Sequence, residues 1–245
     1  MLNHPTIDKL HELRLLGMAK ALKEQNQSPD AYEQLTFEDR LALLVDREQT
    51  ERDNNRLQLR LKQAKLRLTA AIEDIDFHHP RGLDKSLVLN LAGCRWICEH
   101  HNVIVTGPTG VGKSYLACAL AHKACREGFR TFYVRAPRLF DDLVLAKADG
   151  RYRKILAAFA KLDLLVIDDW GLAPLTEEQS RDILEVLEER NELRSTLIAS
   201  QLPIEKWHKM ISNPTVGDAI LDRLIHNSHK IALKGDSMRK KRKTV

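Results

Sequence analysis

Long apolar runs are missing from this chain of 245 residues, and none approaches the roughly 20 residues that a bilayer-spanning helix needs. The N-terminus has neither the apolar core nor the small-residue cleavage site of a secretory leader, which argues against export. Cysteine is scarce. Cys94, Cys98, Cys118 and Cys125 are the whole set, and none forms a C-x-x-C pair. That excludes a disulfide-stapled fold and leaves reduced, cytoplasmic thiols as the expectation. His100 and His101 lie close to Cys94 and Cys98 but match no standard zinc spacing, so core or surface roles are expected there. No large excess of charge of either sign exists: the net charge is +5 and the pI near 9.0. Such a balance is weak support for a nucleic-acid partner by itself, because the placement of the charge matters more.

What is present is sharper. Gly107, Pro108, Thr109, Gly110, Val111, Gly112, Lys113 and Ser114 form G-x-x-x-x-G-K-[ST]. An apolar, β-branched run at 102–106 precedes them, and a helix-forming stretch closed by Gly128 follows. Glycines let the backbone turn so that successive N–H groups point at phosphate oxygens, and the following helix adds its positive end. Lys113 can then reach the terminal phosphates and Ser114 can offer its hydroxyl to Mg²⁺, which implies ATP and Mg²⁺ as cofactors. A second apolar run, Leu164 to Ile167, ends in Asp168 and Asp169, 55 residues beyond Lys113. Asp168 is placed to hold Mg²⁺, and the neighbouring acid to orient and deprotonate an attacking water.

The rest of the chain frames these motifs. Residues 1 to about 68 read as helical, with Ile7, Leu10, Met18, Ala21 and Leu22 on one face and a break at 27–30. Thr36 reads as an N-cap, followed by Phe37, Leu41, Leu44 and Val45 at helical spacing. Further along, Arg52, Arg56, Arg60 and Arg67 form a basic stripe that is either a solvated face or a rail for DNA phosphates. An irregular joint near 77–82 suggests a helical N-terminal domain over 1–75 and a second domain over 76–245. Asp84 to about His100 reads as one more helix. Strands are expected at 102–106, 130–134, 163–168, 196–200 and 229–233, alternating with helices. That alternation means an α/β fold with a parallel sheet, and a nucleotide at its carboxyl edge.

Together these residues resemble the AAA+ ATPases, and within them the IstB family of transposition helper proteins of bacterial insertion sequences, which are similar to DnaC-type helicase loaders. The matching stretches run from Gly93 to Trp96, 102 to 114, 166 to 171, 199 to 203, 205 to 207, 219 to 226 and 234 to 239. The resemblance implies a five-stranded sheet of order 5-1-4-3-2 behind a small all-α domain. It makes Asp168 the metal residue and Asp169 the catalytic acid, a position where most AAA+ proteins carry the longer Glu. It makes Gln201 the sensor at the end of the fourth strand, with Ser200 as the alternative. Arg223 becomes an arginine finger presented to a neighbouring subunit, and Arg239 a second sensor. It also implies duplex DNA, a transposase and further copies of the chain as partners. Two helical patterns at 137–148 and 151–161 stand where a minimal P-loop fold needs one. Their tip carries Lys147, Arg151, Arg153 and Lys154, either a solvated loop or a DNA contact. The basic run 239–243 could add non-specific DNA affinity. Rival readings are a DnaC-type loader acting on single-stranded DNA, a small-metabolite kinase, and a nucleotide-gated interaction module with little turnover.

Overall fold

The computed structural model describes residues 5–238; Arg239 and the basic run that follows lie outside the described residues. The chain separates into two compact units, Met1–Leu59 and Arg60–Val245.

The first unit is helical. Helix α1 (Pro5–Glu12) and helix α2 (Leu16–Gln27) take the place of the single helix expected there, because Arg14 adopts a left-handed backbone (φ 58°) between them. A long helix α3 (Phe37–Ala64) follows and crosses the division between the units. Its start is the expected cap. Thr36 Oγ1 accepts from the Asp39 amide while Asp39 Oδ2 accepts from the Thr36 amide. Gly17 lies so close to α3 that a Cβ there would stand 2.6 Å from Glu48 Cα. Glu48 uses that approach to accept from the Gly17 and Met18 amides, capping α2 from the neighbouring helix. Only one side of α3 is covered in this unit: Leu44 is buried, whereas Phe37, Leu41 and Val45 stay exposed, contrary to the apolar face read from the sequence. The close approach of α2 to α3 is centred on Gly17, opposite Arg47 and Glu48, and leaves the rest of that stripe uncovered.

The second unit is a parallel sheet between helical layers. Strand β1 is Asn102–Thr106, β2 Thr131–Arg135, β3 Leu164–Trp170, β4 Ser195–Ser200 and β5 Ser228–Ala232. The order is β2-β3-β4-β1-β5, the expected 5-1-4-3-2 read from the other edge, and every pairing is parallel. Between the strands run α4 (Lys85–Ala92), α5 (Arg95–Cys98), α6 (Lys113–Arg126), α7 (Ala136–Ala148), α8 (Tyr152–Ala160), α9 (Glu177–Glu188) and α10 (Pro214–Ile225). The helix expected from Asp84 to His100 is thus two, broken where Cys94 turns left-handed (φ 57°). On one sheet face Val103, Val105, Val166, Leu197 and Ala199 pack with α6 residues such as Leu116 and Leu120. On the other, Ile104, Leu165, Ile167 and Ile198 pack with Leu139, Leu143, Ile183 and Ile220. Continuous apolar strands follow from burial on both faces. Ala70, Ile72 and Ile75 belong to the first of these cores, so the contact boundary falls upstream of the joint near 77–82.

Candidate active site

The phosphate loop, the two acids and Gln201 collect at the carboxyl edge of β1, β3 and β4. The loop from Gly107 to Gly112 leaves β1, and α6 begins at Lys113. Two glycines show why the loop needs them. Gly107 has φ 145°, and a Cβ there would meet the Leu233 carbonyl at 2.4 Å. Gly112, at φ 100°, would place a Cβ 2.5 Å from Arg81 Nη1. Pro108 and Thr109 form the exposed rim and Val111 is fully buried beneath it. Lys113 is buried and donates to the Pro108 carbonyl at 2.9 Å, within its own loop. Thr109, Gly110, Gly112, Lys113 and Ser114 line a cleft of about 670 Å³.

The two acids sit on an irregularity of β3. Ile167 pairs with Ile198 and Trp170 with Ser200, so β3 carries one more residue than β4 over that interval. This bulge re-aims the chain where the acids stand, and Asp169 takes a left-handed backbone (φ 58°). Asp168 is 1% exposed. Its Oδ2 accepts from Tyr133 Oη at 2.6 Å and its Oδ1 from the Asp169 amide at 2.8 Å. Burial, then the bond to Asp168, push the Tyr133 hydroxyl well above its ordinary pKa, so it remains a donor. Asp168 precedes Asp169, which lines the cleft with Ser114; a steered carboxylate and a serine hydroxyl are oxygen donors of the kind Mg²⁺ takes. Asp169 faces the cleft and is flanked by Arg135 Nε at 2.6 Å and Arg67 Nη1 at 3.8 Å. Gln201 also faces the cleft and accepts from Thr109 Oγ1 at 2.7 Å, tying β4 to the phosphate loop. Ser200 is buried and otherwise engaged: its hydroxyl donates to the Trp170 carbonyl and accepts from the Leu202 amide.

Sequence reasoning missed three cations here. The basic stripe of α3 is expected to include Arg67, but that helix ends at Ala64, where Lys65 turns left-handed (φ 49°), and Arg67 lines the cleft beside the phosphate loop instead. Arg135 closes β2 on Asp169. Arg81 is 3% exposed and donates to the carbonyls of Val111 and Asp76, bracing the phosphate loop from outside it. An arginine next to Gly82 carries no motif, so only the folded contacts give it away.

Arg223 lies elsewhere. It sits near the end of α10, and its carbonyl accepts from Asn102 Nδ2 at the start of β1. That is the amino edge of the sheet, one strand length, roughly 15 Å, from the phosphate loop. Its guanidinium bonds Glu188 at 2.9 Å and the Ala219 carbonyl at 2.9 Å, in place of the Asp222 or Asp218 pairing that a surface role suggested.

The basic residues considered for DNA divide into held and open. Arg52 is paired to Glu48 at 2.6 Å and Arg56 to Asp53 at 3.4 Å. Arg60 donates to the Cys125 carbonyl. Lys147 is drawn inward to Asp182 at 2.6 Å and Glu178 at 2.9 Å, and lies over the Tyr152 ring, so it is not at the free tip. Arg151 folds onto Asp149. Arg153 and Lys154 are exposed on α8 and make no ion pair among the described residues.

A P-loop, a steered Asp168 and a parallel sheet of this order can now be set against known proteins. The model of the IstB-like ATP binding protein family matches residues 8–245. The chain belongs to that family. An insertion sequence ATP-binding protein of Sinorhizobium fredii is 50% identical over 98% of both chains. Another, from an insertion sequence of Pseudomonas fluorescens, is 48% identical over 83% of this chain and 88% of its own length. Among solved structures, DnaI aligns over 67% of this chain and 91% of its own, with a TM-score of 0.58 and 20% identity. The DnaC helicase loader aligns over 65% and 95%, with a TM-score of 0.54 and 21% identity. These likenesses show the AAA+ fold, and family membership makes the chain an ATP-binding ATPase of that fold.

Proposed function

We propose that this ATPase assembles on duplex DNA in its ATP-bound state and serves the transposase of an insertion sequence. The observation that carries the proposal is the separation of Arg223 from its own phosphate loop, at opposite edges of one sheet. An arginine placed there can complete a nucleotide site only in another copy, so turnover requires assembly. The names of the curated relatives supply the insertion-sequence context.

In this reading the loop amides and Lys113 hold the phosphates, and Ser114 and Asp168 hold Mg²⁺. The metal, when bound, withdraws charge from the terminal phosphates. Asp169 accepts a proton from the attacking water, and Gln201 orients the terminal phosphoryl group. ADP and phosphate leave, and the assembly loosens. Arg239, outside the described residues, is the expected second sensor. Arg153 and Lys154 provide the most available phosphate contacts to DNA, with the exposed Arg52 and Arg56 next. No helix among the described residues is long and apolar enough to cross a membrane, and we place the protein in the cytoplasm. A DnaC-type loader on single-stranded DNA is the second reading, favoured only by the fold likeness.

Complementation tests the shared site. Lys113→Ala should lose ATP binding in a direct titration, and Arg223→Ala should bind ATP but hardly hydrolyse it. Mixing the two with duplex DNA should restore part of the activity, because some interfaces then pair an intact loop with an intact finger. No recovery at any ratio, with mixed assemblies visible by light scattering, would remove the shared site.

A further inference from the structure

A second cleft, of about 250 Å³, opens at the amino edge of the sheet, next to Arg223. Its walls come from the start of β1 and β4 and from the ends of α9 and α10, and they include Arg190, Arg194 and Arg223. These three arginines line it together with the acids Glu192 and Asp222, and the bonding of the three guanidinium groups is unequal. Arg190 is 1% exposed and spent on structure: it donates to the carbonyls of Phe159, Leu162 and Ser195 and to Thr196 Oγ1. Arg194 donates through Nη1 to the Leu193 carbonyl, but its Nε is buried without a hydrogen-bond partner, and Asp163 stands 3.9 Å away. Arg223 repeats the pattern, with both Nη atoms engaged and a buried Nε without a partner.

A buried N–H without an acceptor is costly, and two of them on arginines that line one cleft form an arrangement that an incoming anion can relieve. The acceptor must carry several oxygens and formal negative charge, because guanidinium groups bind phosphate through directed, charge-assisted bonds. The cleft lies below the usual size of a site for a whole small ligand, so it fits a phosphoryl end rather than a nucleotide. The nucleotide itself has its place in the larger cleft at the other edge.

We propose that Arg194 acts with Arg223 as a second trans-acting cation, the two together receiving the terminal phosphate of the nucleotide held by a second copy of this chain. This rests on the shared-site reading above and adds a residue to it. Arg190, pressed by burial and by Arg194 down to about 9, stays protonated at neutral pH and adds positive potential behind the pair. Its own donors are already taken.

Arg194→Ala should bind ATP with an affinity within about twofold of the parent, since its own phosphate loop is untouched. Its DNA-dependent turnover should fall at least about tenfold, within the range attributed to arginine fingers. Mixed with Lys113→Ala it should regain activity. Mixed with Arg223→Ala it should not, because every interface then lacks one of the two donors. Arg194→Lys, which keeps the charge and the stem, guards against a folding defect. It should turn over more slowly than the parent and recover on mixing with Lys113→Ala. Parent-like turnover in Arg194→Ala overturns the proposal. So does failure of Arg194→Ala to recover with Lys113→Ala while Arg223→Ala recovers with Lys113→Ala, an outcome that leaves the shared site standing. If neither mixture recovers, the shared site falls as well. Inorganic phosphate provides the last arm. Thermal protection of the isolated parent that Arg194→Ala abolishes, with no recovery of turnover on mixing Arg194→Ala with Lys113→Ala, would make this a free-anion site and overturn the assignment to a second copy.

Discussion

Replacing Arg190 with Met should destabilise the sheet-containing unit more than any exposed substitution. The side chain joins three elements: it bonds the Phe159 carbonyl in α8, the Leu162 carbonyl before β3, and Ser195 and Thr196 at the start of β4. Burial holds the guanidinium at about 9, which still leaves it charged at neutral pH, so these bonds are charge-assisted. Met fills much of the same volume but donates nothing, and the three carbonyls belong to the backbone and cannot be replaced with it. Each acceptor left dry costs about 1–3 kcal/mol. The losses overlap and are offset by the desolvation that Met no longer suffers, so about 3–5 kcal/mol overall is the expectation, as for a broken buried pair. With a urea slope near 2 kcal/mol/M, the midpoint should drop by about 1.5–2.5 M. Tryptophan fluorescence is the assay, because Trp96, Trp170 and Trp207 are all buried in this unit. A midpoint lowered by less than about 0.3 M would refute the reasoning and mean that water or side-chain shifts satisfy the carbonyls.

Three further outcomes are expected. Asp169→Asn should bind ATP normally and hydrolyse it at least about 100-fold more slowly, the range of a lost general base, so DNA complexes should live longer; normal turnover would place the base elsewhere. Replacing Arg153 and Lys154 with Ala should weaken duplex binding uniformly across sequences and reduce the slope of log affinity against log salt by about 0.9 per lost contact, whereas an unchanged slope would make α8 a solvated helix. Glu48 should show a sign-specific pH dependence: burial raises its pKa, but the Arg52 side chain and the Met18 and Gly17 amides outweigh burial and hold it below the ordinary 4.5. Its contribution is therefore complete above about 4.5 and lost as pH falls through the lower folded value. Hydrogen exchange at the Gly17 and Met18 amides reads this directly, and protection that does not weaken on acidification, or that survives in Glu48→Ala, would contradict it.

The sheet and the phosphate loop were legible because their signals are local. Strands buried on both faces are continuous apolar runs, and the observed ends of β1 to β5 depart from the expected ones by no more than two residues. Helix ends at which a residue other than glycine turns left-handed were not legible. Arg14, Lys65 and Cys94 all turn left-handed, and nothing in a single sequence marks an arginine, lysine or cysteine for that backbone. One such turn, at Lys65, moved Arg67 from a presumed DNA rail into the catalytic cleft. Arg81, Arg135 and Arg190 were hidden for a different reason. Val111 for Arg81, Asp169 for Arg135, and Phe159 and Leu162 for Arg190 all lie in segments far away in sequence, and no local pattern encodes those contacts. The same holds for Lys147, whose basic neighbourhood suggested a tip but whose charge is taken up by α9.

The proposed function turns on ATP-driven assembly on duplex DNA. Sedimentation of the full chain with duplex or single-stranded DNA, each with ATP, with ADP or without nucleotide, tests it most directly. The account predicts a large, salt-sensitive complex only with duplex DNA and ATP, absent for Lys113→Ala. A monomer under every condition, or assembly on single-stranded DNA alone, would contradict it.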